Sequence, residues 1–237
     1  MKRRARRAIT ARPRGYTRHG QASRASPRYS GGTYSADEEI LVPYPDTLAA
    51  EPNATHVRST LLVASTRTLK QHGHYERYQS ALAPADLATI VSSAAGMWLP
   101  IEVGVAHYRA CDTLDLPVDE QLEIGGEVVR SLQKTFIGTV LKAASSGAGI
   151  TPIAGVRKFA SVFSRSFKGG GVCVVRLGPK DVRVEFVGLP LSAIRYFRIA
   201  YRGFIQAGFE FFARRVVAAE LNKYLSETTL AYRIAWV

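Results

Sequence analysis

His107 and Cys111 stand four residues apart in Ile101–Leu114, a segment whose apolar spacing predicts a helix. That spacing puts an imidazole and a thiol on one helix face, as two metal ligands require, or an axial haem ligand and its neighbour. His72 and His74 are the histidines that could complete a zinc set. A core reading competes: the segment is largely apolar, cysteine is among the most buried residue types, and hydrogen bonds can satisfy a buried histidine. His72 and His74 flank Gly73, which ends a helix, and are expected at the surface.

Two more groups share a single expected helix, Ser192–Ala213. Phe197, Tyr201, Phe204, Phe209 and Phe212 recur at helical steps on one face. Such a face can line a ligand pocket between helix and sheet, or simply pack as core. Gly203 and Gly208 interrupt it, at about 1 kcal/mol each relative to alanine. They allow close backbone packing or leave room for a ligand. Arg195, Arg198 and Arg202 form a second face that no acid in the helix before Glu210 balances. It is either an anion or partner contact or a solvated stripe whose stems cover apolar surface. Gly147-Ala148-Gly149 precedes a helix, but no Lys-Ser/Thr follows and no strand leads in, so it reads as a connector rather than a phosphate loop. No catalytic residues are assigned. There is no Gly-x-Ser-x-Gly, no His-Glu-x-x-His and no Cys-x-x-Cys.

The elements that must position these residues follow from proline, glycine and periodicity. Asn53 is expected to cap a helix that ends at Gly73, Pro84 to open one running to about Met97, and Trp98-Leu99-Pro100 to form a corner. Pro117 starts a long helix, Val118–Ala144, and Pro152 a shorter one. Gly169-Gly170-Gly171 then separates a helical half from a β half. Val172–Leu177 and Val182–Phe186 flank Gly178-Pro179-Lys180-Asp181 as a hairpin. Arg214–Leu221 and Thr229–Trp236 supply two more strands, with Tyr232, Ile234 and Trp236 on one face. The reading is α+β, with an N-terminal helical half followed by a β-β-α-β-β unit forming a four-stranded antiparallel sheet.

With 237 residues, 46% of them hydrophobic, the chain can bury a sizeable core. Its net charge of +13 is concentrated: residues 1–30 hold ten Lys or Arg and no acid, and the remaining 22 basic and 19 acidic residues leave only +3. Residues 1–31 therefore read as a disordered basic tail, 32–52 as an extended linker, and 53–237 as one α+β domain. The tail is a solvated extension, an organelle presequence, or a contact for nucleic acid or an anionic surface. Two cysteines make no disulfide framework, which fits a reducing, cytoplasmic setting, and no run is long enough to span a membrane.

The element order, with Ile124-Gly125-Gly126, Gly138-Thr139-Val140-Leu141, the aromatic Phe159–Phe167 and Tyr232-Arg233-Ile234-Ala235-Trp236, resembles an uncharacterised paralogous family abundant in myxobacteria. The likeness covers roughly Val57–Val237. The layout is also similar to haem–nitric-oxide-binding and vinyl-reductase-like small-molecule domains, which place helices before a C-terminal antiparallel sheet. The sequence thus points to a non-enzymatic small-molecule-binding, sensor or interaction domain, taking an apolar ligand or a protein partner. The alternative is a structural component of a larger, ribonucleoprotein-like assembly anchored by the tail.

Overall fold

The computed structural model describes residues 38–132 and 151–237. The basic tail, the end of the expected long helix, the Gly138–Leu141 string and the Gly147-Ala148-Gly149 loop lie outside the described residues. The helical half begins with strands β1 (Glu39–Val42) and β2 (His56–Arg58), then α1 (Ser59–Gln71), α2 (Tyr75–Ala81) and α3 (Pro84–Ser92). Strand β3 (Trp98–Pro100) leads into α4 (Ile101–Asp112) and α5 (Val118–Ser131). After the gap come α6 (Pro152–Val156), α7 (Phe159–Ser166), β4 (Phe167–Lys168), β5 (Gly171–Gly178) and β6 (Asp181–Val187). Helix α8 (Arg195–Phe209) and strands β7 (Val216–Glu220) and β8 (Thr229–Trp236) complete the chain.

Period-two alternation builds the main sheet. Val174 pairs with Val184, and Val184 in turn with Tyr232, so the apolar members of three strands align on one face. Val172, Val174, Val182, Val184, Phe186, Tyr232 and Ile234 are all buried there. Helix α8 crosses this face, and α5 packs on α8 from the other side. The order is β1-β5-β6-β8-β7, antiparallel throughout.

The sheet has five strands rather than four. The added edge is β1, from the proline-containing stretch 32–52 read as an extended linker: Ile40 pairs with Val175, and Glu39 meets Arg176 at 3.1 Å. The far face of the sheet carries a buried polar network. Arg183 Nε donates to Glu185 Oε1 at 2.5 Å, Arg183 Nη1 to Glu38 Oε1 at 2.7 Å, and Tyr44 Oη to Glu185 Oε2 at 2.6 Å. Burial pulls the Arg183 guanidinium pKa down, but the bonds to Glu38 and Glu185 more than offset it and raise the pKa.

A second sheet, β3-β2-β4, closes one end of the molecule. It overturns two local expectations. Asn53 does not cap α1, because His56 and Val57 are already paired with Lys168 and Phe167 in β4; Arg58 holds the cap position. Trp98-Leu99-Pro100 is a strand paired with His56–Arg58, not a corner. Helix α3 also stops early, at Ser92. Ser92 and Ser93 turn their hydroxyls back onto the carbonyls of Ala88 and Thr89, a bond that competes with helix continuation. The aromatic helix starts at Arg195, Pro190–Ala193 forming a 3-10 turn before it.

Candidate functional site

On α4, His107 and Cys111 do share a face, and that face is core. The Tyr78 hydroxyl from α2 lies 2.7 Å from His107 Nδ1, and the Ser65 hydroxyl from α1 lies 3.0 Å from Nε2. Both ring nitrogens are thus engaged, with Cys111 Sγ 3.8 Å from Nε2. Burial holds the imidazolium pKa down at about 3 and pushes the Cys111 thiol up. A neutral imidazole has one donor and one acceptor nitrogen, and two hydroxyls satisfy both.

His72 and His74 lie elsewhere, half-buried and paired with acids of α5. His74 Nε2 is 2.6 Å from Glu120 Oε1, and His72 Nε2 is 3.1 Å from Glu127 Oε2. The expected exposure is reduced because α5 runs alongside the end of α1. Among the described residues no group of three side chains could hold a metal ion.

The aromatic face of α8 forms a continuous stack. Phe197 stacks on Tyr201 at 4.9 Å and Tyr201 on Phe204 at 5.5 Å, with Tyr108 edge-on to Phe197 and Phe186 edge-on to Tyr201. Phe209 packs on Trp236 at the other end of the helix, while Phe212 lies past it, against Gly155. A gap of about 30 Å³ lies among Tyr108, Gly125, Phe167, Phe197, Tyr201 and Phe204, room for about one water. Here α5 and α8 touch backbone to backbone. A Cβ on Gly125 would overlap the Ala200 carbonyl oxygen, and one on Gly203 the Leu122 carbonyl oxygen. At Gly208 the nearest atom to an added Cβ is Val129 Cγ2, at 3.9 Å.

The arginine stripe divides. Arg198 bonds Glu220 Oε1 on β7 at 3.0 Å and the Ser192 carbonyl. The balancing acid comes from a strand, where helix periodicity cannot find it. Arg195 is exposed and Arg202 half-buried.

A separate half-open groove of about 730 Å³ lies between the Pro43–His56 segment, α7 and the β4–β5 junction. Phe163, Phe167, Ala160, Val172 and Pro45 give it an apolar floor. Its polar lining includes His56 and Lys168, paired across β2–β4, and Asp46 and Glu51. Gly169 and Gly170 have φ of +79° and +67°, which side-chain-bearing residues rarely adopt. A Cβ on Gly169 would strike the Asn53 carbonyl, and one on Gly171 would lie 2.8 Å from Pro45 Cδ. The three glycines, read from sequence as a break between halves, thus let the Pro43–Ala54 segment close down as a groove wall. Phe167 borders both this groove and the inner gap.

No family model matches the sequence, and no curated protein matches it. Solved structures resemble it in fold. One, from work on haem distortion in the H-NOX family, aligns over 76% of this chain and 94% of its own, with 10% identity and a TM-score of 0.50. An unliganded Fe(II) H-NOX protein mutant from K. algicida aligns over 76% of this chain and 96% of its own, at the same identity and TM-score. The chain therefore has an H-NOX-like fold.

The described residues do not fit a haem. A tetrapyrrole needs an apolar cavity of several hundred Å³, on the order of other ligand pockets, and an axial donor aimed into it. His107 spends both nitrogens on hydroxyls, and the gap that the described residues leave beside that core is about 30 Å³. The groove that is large enough is half open, and its histidine, His56, stands among Lys168, Asp46 and Glu51.

Proposed function

We propose that the chain is a non-enzymatic small-molecule-binding domain that uses an H-NOX-like fold without haem and receives its ligand in the groove between Pro43–His56, α7 and β4–β5. The observation that carries this reading is the groove itself: a volume suited to a small organic ligand, two phenylalanines in its floor, and charged groups at its rim. The aromatic residues of α8 stand behind Phe167 and form the inner wall of the same region.

The test is native mass spectrometry of the purified chain, with thermal shift against a panel of apolar ligands. Ser164 is exposed at the groove, so Ser164→Trp should fill it and abolish ligand-induced shifts while leaving the unliganded melting temperature near the parent's. A bare chain mass and no shift from any ligand would overturn the reading. The protein should also show no porphyrin absorbance after expression with a haem precursor.

Charge segregation supports a second reading, an assembly component anchored through residues 1–31. Binding to RNA or DNA should then weaken steeply with salt and disappear when those residues are removed. Nucleic-acid binding that survives the deletion would rule out the tail as the anchor.

A further inference from the structure

We infer that the groove takes a single-chain carboxylate amphiphile, its head at Lys168 and His56 and its acyl chain laid along Phe163 toward Phe167. This rests on the small-molecule reading above and adds the ligand's class, its orientation and the residue that limits its length.

The head position follows from charge. Lys168 and His56 are partners across β2–β4 and both line the groove. Among the described residues no carboxylate pairs with Lys168; its ammonium lies 5.1 Å from the Trp98 ring centroid. Thr55 Oγ1 lies 3.0 Å from His56 Nδ1, which leaves Nε2 as the ring's other polar atom. Two residues on in β2, Arg58 bonds the carbonyls of Arg165 and Gly96 and shares the Trp98 ring with Lys168, so a further positive charge stands near Lys168, and among the described residues no carboxylate pairs with it. Asp46 and Glu51 come from the opposing Pro43–Pro52 wall. Asp46 follows Pro45, which touches the Gly171 end, and the Glu51 carbonyl accepts from the Gly170 N–H, so a carboxylate is disfavoured along that stretch and favoured on its β2 side, at Lys168 and His56.

The chain position follows from the floor. Phe163 and Phe167 pack ring to ring at 5.2 Å, an apolar surface leading inward from the charged rim. Phe167 has the groove on one side and the 30 Å³ gap on the other, so its ring is the partition at the inner end. Removing that ring would join the two spaces and extend the run available to an acyl chain toward Phe197 and Tyr201.

Calorimetric titration of the full chain with saturated carboxylates of increasing length, and with the matching alcohols, tests this. In the parent, affinity should rise about fourfold per methylene and then level off. Carboxylates should bind more tightly than alcohols of equal length, and Lys168→Glu should remove that preference. In Phe167→Ala the levelling point should move to longer chains. Phe167→Leu, which keeps a buried apolar side chain, should move it in the same direction by less, and decides the matter if the alanine variant does not fold. Equal binding of acids and alcohols, unchanged in Lys168→Glu, would overturn the carboxylate assignment while leaving the groove as a ligand site. An unshifted levelling point in the folded Phe167 variants would overturn its role as the stop. If neither series binds, and Ser164→Trp changes nothing, the small-molecule reading falls as well.

Discussion

His107 shows what residue spacing can and cannot settle. The four-residue step to Cys111 placed both groups on one face, as expected, but the choice between ligand and core depended on Tyr78. That tyrosine sits on α2, a two-turn helix between Gly73 and Pro84 whose pattern is too short to read. With both nitrogens engaged, the ring makes a testable electrostatic contribution. In the unfolded chain it takes a proton near pH 6.5, whereas burial holds it to about 3 in the fold. Between those values the unfolded state binds more protons, so the stability it contributes is present above about pH 6.5 and is lost as the pH falls toward 3. The slope should approach about 1.4 kcal/mol per pH unit within that window. Urea unfolding of the parent and of His107→Asn at several pH values measures it. The variant should be less stable near neutrality, since Tyr78 and Ser65 lose their partner, and flatter in acid. Equal slopes would assign the acid sensitivity to other groups.

Among elements, the contact between α5 and α8 dominates the helical layer. Both interrupting glycines of α8 were visible in the sequence, yet they do different things. Gly203 is pressed against the Leu122 carbonyl, so Gly203→Ala must push the helices apart and should cost about 2–4 kcal/mol. Gly125→Ala should do the same at the Ala200 carbonyl. At Gly208 an added Cβ would make only an ordinary contact with Val129, so Gly208→Ala should stabilise by up to about 1 kcal/mol through helix propensity. Chemical denaturation of the three variants checks the pattern; similar effects at Gly203 and Gly208 would contradict the close crossing. Periodicity finds a glycine but not the backbone that faces it, which belongs to a helix distant in the chain. The terminal strand was easier to read. Tyr232, Ile234 and Trp236 lie inward as their alternation requires, with Trp236 on Phe209 and the Tyr232 hydroxyl on the Arg198 carbonyl. Trp236→Ala should therefore lower stability by about 3–5 kcal/mol in the same assay.

For the whole molecule, helices before sheet could be read from proline, glycine and two periods. The fifth strand could not, since four residues ending at Pro43 carry too little pattern. Its importance is electrostatic as much as apolar: the segment from Glu38 to Tyr44 supplies a carboxylate to Arg183 and a hydroxyl to Glu185 on the buried far face. A fragment beginning at Asn53 loses both, and removing a partner from a buried ion pair costs about 3–5 kcal/mol. It should unfold at distinctly lower urea than a fragment beginning at Gly32. Equal midpoints would show that residues 38–52 merely lie along the surface. The groove was unreadable for a related reason: its walls come from separated segments, each of which looks like an ordinary loop or helix on its own.

The cation stack on Trp98 has an optical consequence. The chain has two tryptophans. Trp236 is buried on Phe209, whereas Trp98 lies half-exposed beneath the Arg58 guanidinium, 3.7 Å from its ring, with the Lys168 ammonium also above it. Intrinsic fluorescence therefore comes from two separate places. A molecule that draws Lys168 into the groove should change the emission of Trp98 while Trp236 stays silent, and denaturant should change both. Measured on Trp236→Phe and Trp98→Phe proteins, the natural chromophores would separate occupancy from unfolding without any attached dye.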